Sequence, residues 1–442
     1  MRHFFLTTIF LVLHFMAGAQ VRPVMWIAGG LSANWADAVD NTEQKYKVIT
    51  AGPGNIYLTT GLTAGIQAAA AGVNSDISGL GLSNVLGIGH DLGGITLRQM
   101  AKAGTNTPLT AMILAGAPNQ GSRALNAMLP TPLSGPSIFK QLLDKYKAMR
   151  ETVNNIESGC KGCEVLEATE RLIALVSDSP NPHRDVAKGQ NGNTFYTTIG
   201  EPVIPTAVII GNATSQGLLD LLGSVGGGFN QNITRSCYEF EINQRKQEIK
   251  DKFNDELITN ITSFTTDVIK TVKVDKLNVD VLQTVSDIVK KVFDTIKTIR
   301  EKDQSLYRLL VCELIHQGLD AEWRLMVGGV QRAQADIAVP NDCLSFCINE
   351  PDPQAQADCY QHYYEEGCQP PVFNLRAYYY NYTASDLIYT TYEQSLTGSK
   401  VLSQYEVAET NHFQEQDWWK TGQHLEDLYD GSAGVAFKLT KK

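Results

Sequence analysis

Ser83-Asn84-Val85-Leu86-Gly87-Ile88-Gly89-His90-Asp91-Leu92-Gly93-Gly94 is the stretch on which the reading of this chain turns. Val85 to Ile88 is a short apolar run of the length of a buried strand, and Leu92 to Lys102 reads as a helix. Between them, glycines two before and two after Asp91 leave room for a tight, strained turn that pushes the central side chain out above a sheet. The helix that opens at Leu92 aims its first N–H groups and the positive end of its dipole at that side chain, which favours a carboxylate and suits an oxyanion as well. A plainer reading stands beside this one. Aspartate is among the best helix N-caps, and Asp91 could do no more than cap the helix it precedes. Placement after an apolar strand and before a helix is what gives the G-x-D-x-G pattern its weight.

Other apolar runs bounded by Gly, Pro or Asn lie on both sides: Pro23 to Ala28, Tyr46 to Ala51, Leu109 to Ala115, Pro205 to Ile210 and Tyr405 to Ala408. Several are followed by helix-like segments, and such alternation predicts an α/β fold with a mostly parallel central sheet covered by helices on both faces. Two regions break the pattern. Residues 136 to 178 place Ile138, Leu142, Leu143 and Tyr146 on one helical face, then Leu166, Leu172, Ile173 and Val176 on another. From 240 to 330, Ile249, Phe253, Leu257, Ile261, Phe264 and Val268, then Val285, Val289, Val292, Ile296 and Ile299, recur in steps of three and four, the mark of amphipathic helices packed on one another. The expected division is a core from 20 to 135, a helical lid at 136–190, a core strand in 191–215, a helical cysteine-containing cap at 216–368 and a C-terminal core part at 369–442.

Met1-Arg2-His3, the apolar run Phe4 to Met16 and Ala17-Gly18-Ala19 before Gln20 read as a signal peptide over residues 1–19, so the protein is expected to be exported, periplasmic or secreted. No later stretch approaches the roughly 20 apolar residues of a membrane helix. A net charge of −10 and a pI near 5.4 argue against a nucleic-acid surface. Eight cysteines, at 160, 163, 237, 312, 343, 347, 359 and 368, suit disulfides in an exported chain. Among the four from Cys343 to Cys368 three pairings stay open, and a zinc site competes less well because the spacings lack short pairs. No metal or cofactor is expected.

Trp26-Ile27-Ala28-Gly29-Gly30-Leu31, Gly87-Ile88-Gly89-His90-Asp91-Leu92-Gly93-Gly94 and Leu114-Ala115-Gly116-Ala117-Pro118-Asn119-Gln120-Gly121-Ser122 together resemble three blocks of the lipase-like α/β-hydrolases, a group that includes the GPI inositol-deacylases. In that family the blocks are the oxyanion loop, a G-H-S-L-G-G nucleophile elbow and a G-T-P-x-x-G-S segment. Ser385-Asp386-Leu387-Ile388 resembles its acid loop and Asn411-His412-Phe413 its histidine loop, in the order that fold uses. The resemblance implies an α/β-hydrolase fold with Asp91, His412 and Asp386 as catalytic residues and the backbone N–H groups of Leu92 and Leu31 as the oxyanion hole. It also implies a small-molecule or lipid-like substrate. The chain departs from the family at three places: Asp91 replaces the serine, Leu387 replaces a glycine, and Gly29-Gly30 stands where His-Gly is common. Among the histidines outside the leader, at 90, 183, 316, 362, 412 and 424, His412 is preferred for following the run that ends at Ala408, with His424 in reserve.

The aspartate changes what the elbow can do. Serine attacks a carbonyl after giving its proton to histidine, whereas aspartate needs no such base. It attacks a saturated carbon, displacing halide or opening an epoxide, and histidine then activates water to hydrolyse the resulting ester. Attack on an ester carbonyl would give a costly mixed anhydride. The residues therefore leave two functions open: a hydrolase using Asp91, His412 and Asp386, or a catalytically silent relative that keeps the pocket for binding.

Overall fold

The structure is a computed structural model that describes residues 21–31, 35–51, 57–58, 64–102, 107–130, 136–153, 165–178, 180–224, 245, 279–301, 303–328, 330–339, 352, 354–359 and 373–442. Residues 1–19, where a leader is expected, lie outside the described residues, as do six of the eight cysteines. Cys312 and Cys359 are described, and neither is a free thiol.

Nine strands are described: β1 Arg22–Ala28, β2 Val48–Ala51, β3 Tyr57–Leu58, β4 Val85–His90, β5 Leu109–Ala115, β6 Thr206–Asn212, β7 Val330–Val339, β8 Phe373–Tyr382 and β9 Val401–Ala408. The central sheet runs β2-β1-β4-β5-β6-β9, with β3 also paired to β1. Every pairing in it is parallel. Each of the six apolar runs overlaps one of its strands, because short runs of β-branched and apolar residues between turn residues suit a parallel sheet covered by helices.

Alternation along the strands divides the core in two. Met25, Ile27, Met112, Leu114, Val208 and Ile210 face one side, joined by helices Ile66–Gly79, Leu92–Lys102, Ile138–Glu151, Val165–Asp178 and Gln304–Val327. Val24, Trp26, Ile88, Ile113 and Ile209 face the other, under helices Ala36–Lys45 and Trp418–Asp430. A side-chain period of two makes both faces apolar only if nearly every residue of the strand is, and β1 and β4 are buried throughout.

From β1 the chain steps outward to β2, returns to β4 and then proceeds through β5 and β6 to β9. The direction of winding reverses between β1 and β4. In an open parallel sheet, ligands bind at the carboxyl ends of the strands that flank such a switch point. Leu31 follows β1 and Asp91 follows β4.

In the described part of 216–368, helices Leu218–Ser224, Val279–Lys297 and Gln304–Val327 are followed by β7, which pairs antiparallel with β8 in a separate two-stranded ribbon. The helical expectation for this interval did not foresee β7. Its sequence, VQRAQADIAV, mixes helix-favouring Ala, Gln and Arg with too few large apolar residues to show the alternation of a half-buried strand. The partner, FNLRAYYYNY, carries the aromatic residues that favour strands and includes Tyr378 to Tyr380.

Candidate active site

Asp91 occupies the corner between β4 and the Leu92–Lys102 helix with φ +54°, a left-handed conformation that costs a non-glycine residue roughly 1–2 kcal/mol. Tight packing enforces it. A Cβ on Gly93 would run into the main-chain oxygen of Ile27, and one on Gly89 would lie 2.7 Å from the Gly94 nitrogen. The Gly94 N–H, which an N-cap side chain would accept, goes to the main-chain oxygen of Asp91 at 3.0 Å. The carboxylate itself turns elsewhere. Oδ2 accepts the Leu31 N–H at 3.3 Å, and Oδ1 accepts the Tyr389 hydroxyl at 2.6 Å. Gly29 has no side chain because the Asp91 carboxylate fills the space a Cβ would take.

Asp386 lies in the loop before β9, and its Oδ1 accepts the N–H groups of Ile388 at 2.8 Å and Tyr389 at 2.5 Å. This turn needs a left-handed residue at 387. Leu387 takes φ +72° there, in the place of the family's glycine, with its carbonyl accepting from the Trp323 indole at 2.6 Å. The departure in the acid loop is thus accommodated by strain that the helix of Trp323 holds in place.

His412 follows β9. Its Nδ1 meets Asp386 Oδ2 at 2.8 Å and its main-chain N–H reaches the Asp386 carbonyl at the same distance. The bond to the carboxylate makes Nδ1 the protonated nitrogen and leaves Nε2 as the free lone pair. Nε2 lies 3.9 Å from Asp91 Oδ1, beyond hydrogen-bond reach but closer than an intervening water permits, and makes no hydrogen bond of its own. Asp91, Asp386 and His412, far apart in sequence, are all fully buried at this point. Burial opposes charge on His412, but Asp386, the hydrogen bond to Glu415 and the charge of Asp91 outweigh it and hold the imidazole well above its usual pKa.

Leu92 opens the helix behind Asp91 and is buried. His424, the reserve histidine, stacks on Tyr405 with ring centroids 4.7 Å apart and belongs to the Trp418–Asp430 helix. His183 is buried beside the loop after β1, its Nε2 3.2 Å from where a Cβ on Gly30 would stand.

Two residues were absent from the sequence reading. Tyr389 donates to Asp91 and packs edge-on against His412, with centroids 5.0 Å apart. Burial and then the charge of Asp91 drive its hydroxyl pKa well above 10 and keep it a donor. Glu415 is fully buried against His90 and His412. The ligand-type atoms of His90, His412 and Glu415 converge within 4.8 Å of one another. They are already directed at partners: the His90 Nε2 lies 2.9 Å from the His412 carbonyl, and Glu415 Oε1 accepts from Gly211 at 2.7 Å. The cluster therefore reads as a hydrogen-bond network before it reads as a cation site.

Strand order, parallel pairing and the elbow after β4 together define the fold. It is an α/β-hydrolase fold. No family model matches the chain, and no curated protein matches it. Solved structures similar to it include a hydrolase from Oleispira antarctica, at 14% identity over 44% of this chain and 74% of that one with a TM-score of 0.27. An epoxide hydrolase is 14% identical over 44% of this chain and 76% of its own, with a TM-score of 0.25. An N-acyl homoserine lactonase is 14% identical over 54% of this chain and 92% of its own, also at 0.25. Overlays this loose carry no argument on activity, and the fold rests on the strand order. Among the described residues, no helix is long and apolar enough to cross a membrane.

Proposed function

We propose that the protein is an exported hydrolase, periplasmic or secreted, in which Asp91 is the nucleophile, His412 the base and Asp386 the residue that orients it, acting on a small-molecule or lipid-like substrate. The observation that carries this reading is the unequal placement of the two Asp91 oxygens. Oδ2 accepts the Leu31 N–H at 3.3 Å, while Oδ1 faces His412 Nε2 at 3.9 Å. Oδ1 attacks a saturated carbon of the substrate and expels halide or an epoxide oxygen, giving an ester of Asp91. Oδ2 then becomes the ester carbonyl oxygen, already held by an N–H that stabilises the tetrahedral intermediate. Water deprotonated by His412 Nε2 attacks that carbonyl while Asp386 supports the imidazolium; the intermediate then breaks its Cγ–Oδ1 bond, the alcohol leaves with Oδ1 and the imidazolium's proton, and the water oxygen completes the restored carboxylate.

A second reading, a silent hydrolase relative that binds without turnover, draws on Tyr389, whose hydroxyl caps the oxygen that would attack.

Purified protein offered esters, epoxides and haloalkanes separates the two. The nucleophile reading expects turnover of an epoxide or haloalkane and loss of at least about 10⁴-fold in Asp91→Asn, because a neutral amide cannot attack. It also expects a covalent ester adduct, seen by mass spectrometry, in His412→Ala. Inert parent protein together with esterase activity in Asp91→Ser would assign it to the binding class.

A further inference from the structure

Gly116, just past β5, and Gly211, near the end of β6, both lack side chains for the same reason. A Cβ at either would enter the carboxyl group of Glu415, and Gly116 additionally adopts φ +53°. Two strand ends of the central sheet are thus cut back to admit one carboxyl. Glu415 stands three residues after His412, in the turn Gln414–Gln416, and is completely buried. Its Oε1 takes the Gly211 N–H at 2.7 Å. Its Oε2 lies 3.1 Å from His90 Nε2 and 3.5 Å from His412 Nδ1. Since His90 Nε2 is also 2.9 Å from the His412 carbonyl, which can only accept, that nitrogen must carry the proton.

We propose that Glu415 is a positioning residue for the His412 base, joining it with the elbow histidine His90 into one proton-bearing set whose role is to hold the imidazolium formed when His412 takes a proton. His412 Nδ1 then has two acids on one edge, Asp386 at 2.8 Å and Glu415 at 3.5 Å. A lone acid fixes the ring's tautomer. The second, reached through a niche that two glycines keep open, adds negative charge to the set only when it gives up its own proton. Burial and then the nearby Asp386 push the Glu415 pKa up to about 8, against the pull of His412 and the Gly211 N–H. His90, by contrast, is kept neutral, since burial and then His412 lower its pKa far below 6.5. The ionisable groups facing the pair are His90 from β4, Asp386 and Tyr389 from the acid loop, and Asp91 from the elbow.

This inference rests on His412 as the base, but its test reads the imidazole directly and needs no substrate. Full-length protein with ¹⁵N-labelled histidine is titrated by NMR, as parent and as Glu415→Gln, which keeps the size and the Gly211 acceptor. The His412 pKa is expected to fall by about one unit in the variant, the shift typical of removing one close carboxyl. A His412 titration unchanged in folded Glu415→Gln overturns the proposal. Should the variant not fold, the parent decides: the His90 Nε2 resonance, although His90 stays neutral, is expected to report the ionisation step of the set, and a His90 signal blind to that step overturns it equally. Loss of turnover alone would speak to the hydrolase reading, whereas the titrations speak to Glu415.

Discussion

Asp91 presents its two oxygens to different surroundings, Oδ2 to the Leu31 N–H at 3.3 Å and Oδ1 to Tyr389 at 2.6 Å and the His412 ring at 3.9 Å. In the proposed reaction, attack by Oδ1 requires the Tyr389 hydroxyl to let go or to follow the leaving oxygen. A charge-assisted bond of this kind is worth roughly 1.5–3 kcal/mol, an affordable part of a reaction barrier. In the proposed hydrolysis of the ester, His412 must be unprotonated to take a proton from water. Its pKa is raised above 6.5, so turnover is expected to be low at pH 6.5 and to climb as pH rises through the elevated value. A flat pH–rate profile from roughly pH 6 to 9 would count against His412 as the base. That Asp91, Asp386 and His412 would meet was legible in the sequence because each lies in a short motif whose place relative to a strand is fixed. Tyr389 and Glu415 were not. Each follows a site residue by three positions, and only the irregular turns at Leu387 and Gln414 bring them back onto it, a geometry with no period to read.

At the level of elements, the site is made by how closely the Leu92–Lys102 helix approaches β1 and β4. Gly93 has the Ile27 carbonyl where its Cβ would be, and Gly94 has the Ala117 methyl at 2.6 Å. Inside a helix, alanine is normally about 1 kcal/mol better than glycine. Here Gly93→Ala forces the helix away from β1, and overpacking of this kind costs about 1–3 kcal/mol. The clash is expected to win. Thermal unfolding should show a Tm lowered by several degrees; a Tm equal to or above the parent's would mean that the contact is slack. The strands and this helix were readable in advance because apolar runs of fixed length carry their own signature. The β7–β8 ribbon was not, since its two strands are separated by 33 residues of sequence between Val339 and Phe373 and β7 lacks a run of large apolar side chains.

Over the whole molecule, two consequences extend beyond the site. The proposed export would place the chain in an oxidising compartment, and neither described cysteine is a free thiol. Titration of the denatured, unreduced protein with a thiol reagent is therefore expected to find none of the eight cysteines reactive, and several reactive thiols would contradict the disulfide reading. The second consequence concerns pH. Three fully or almost fully buried glutamates have raised pKa values: Glu322 at about 8 and Glu393 at about 7, each chiefly through burial, and Glu415 at about 8 through burial and Asp386. A carboxyl with a raised folded pKa stays protonated in the fold at pH values where the unfolded chain has already released its proton. Its contribution is complete below the unfolded value of 4.5 and is lost as pH rises toward the folded one. The raised His412 acts in the same direction above 6.5. His90, whose pKa is lowered, acts the other way, but only as pH falls below 6.5. Between pH 6.5 and 8 all these contributions to the slope have one sign, so stability falls as pH rises, each glutamate adding up to about 1.4 kcal/mol per pH unit until its folded pKa is passed. Denaturant unfolding at pH 6.5 and pH 8 checks this, with the lower midpoint expected at pH 8. Glu322→Gln lies outside the site on the Gln304–Val327 helix and isolates one contribution: it should flatten the slope without altering the titration of His412, and an unchanged slope would show that Glu322 is ionised in the fold.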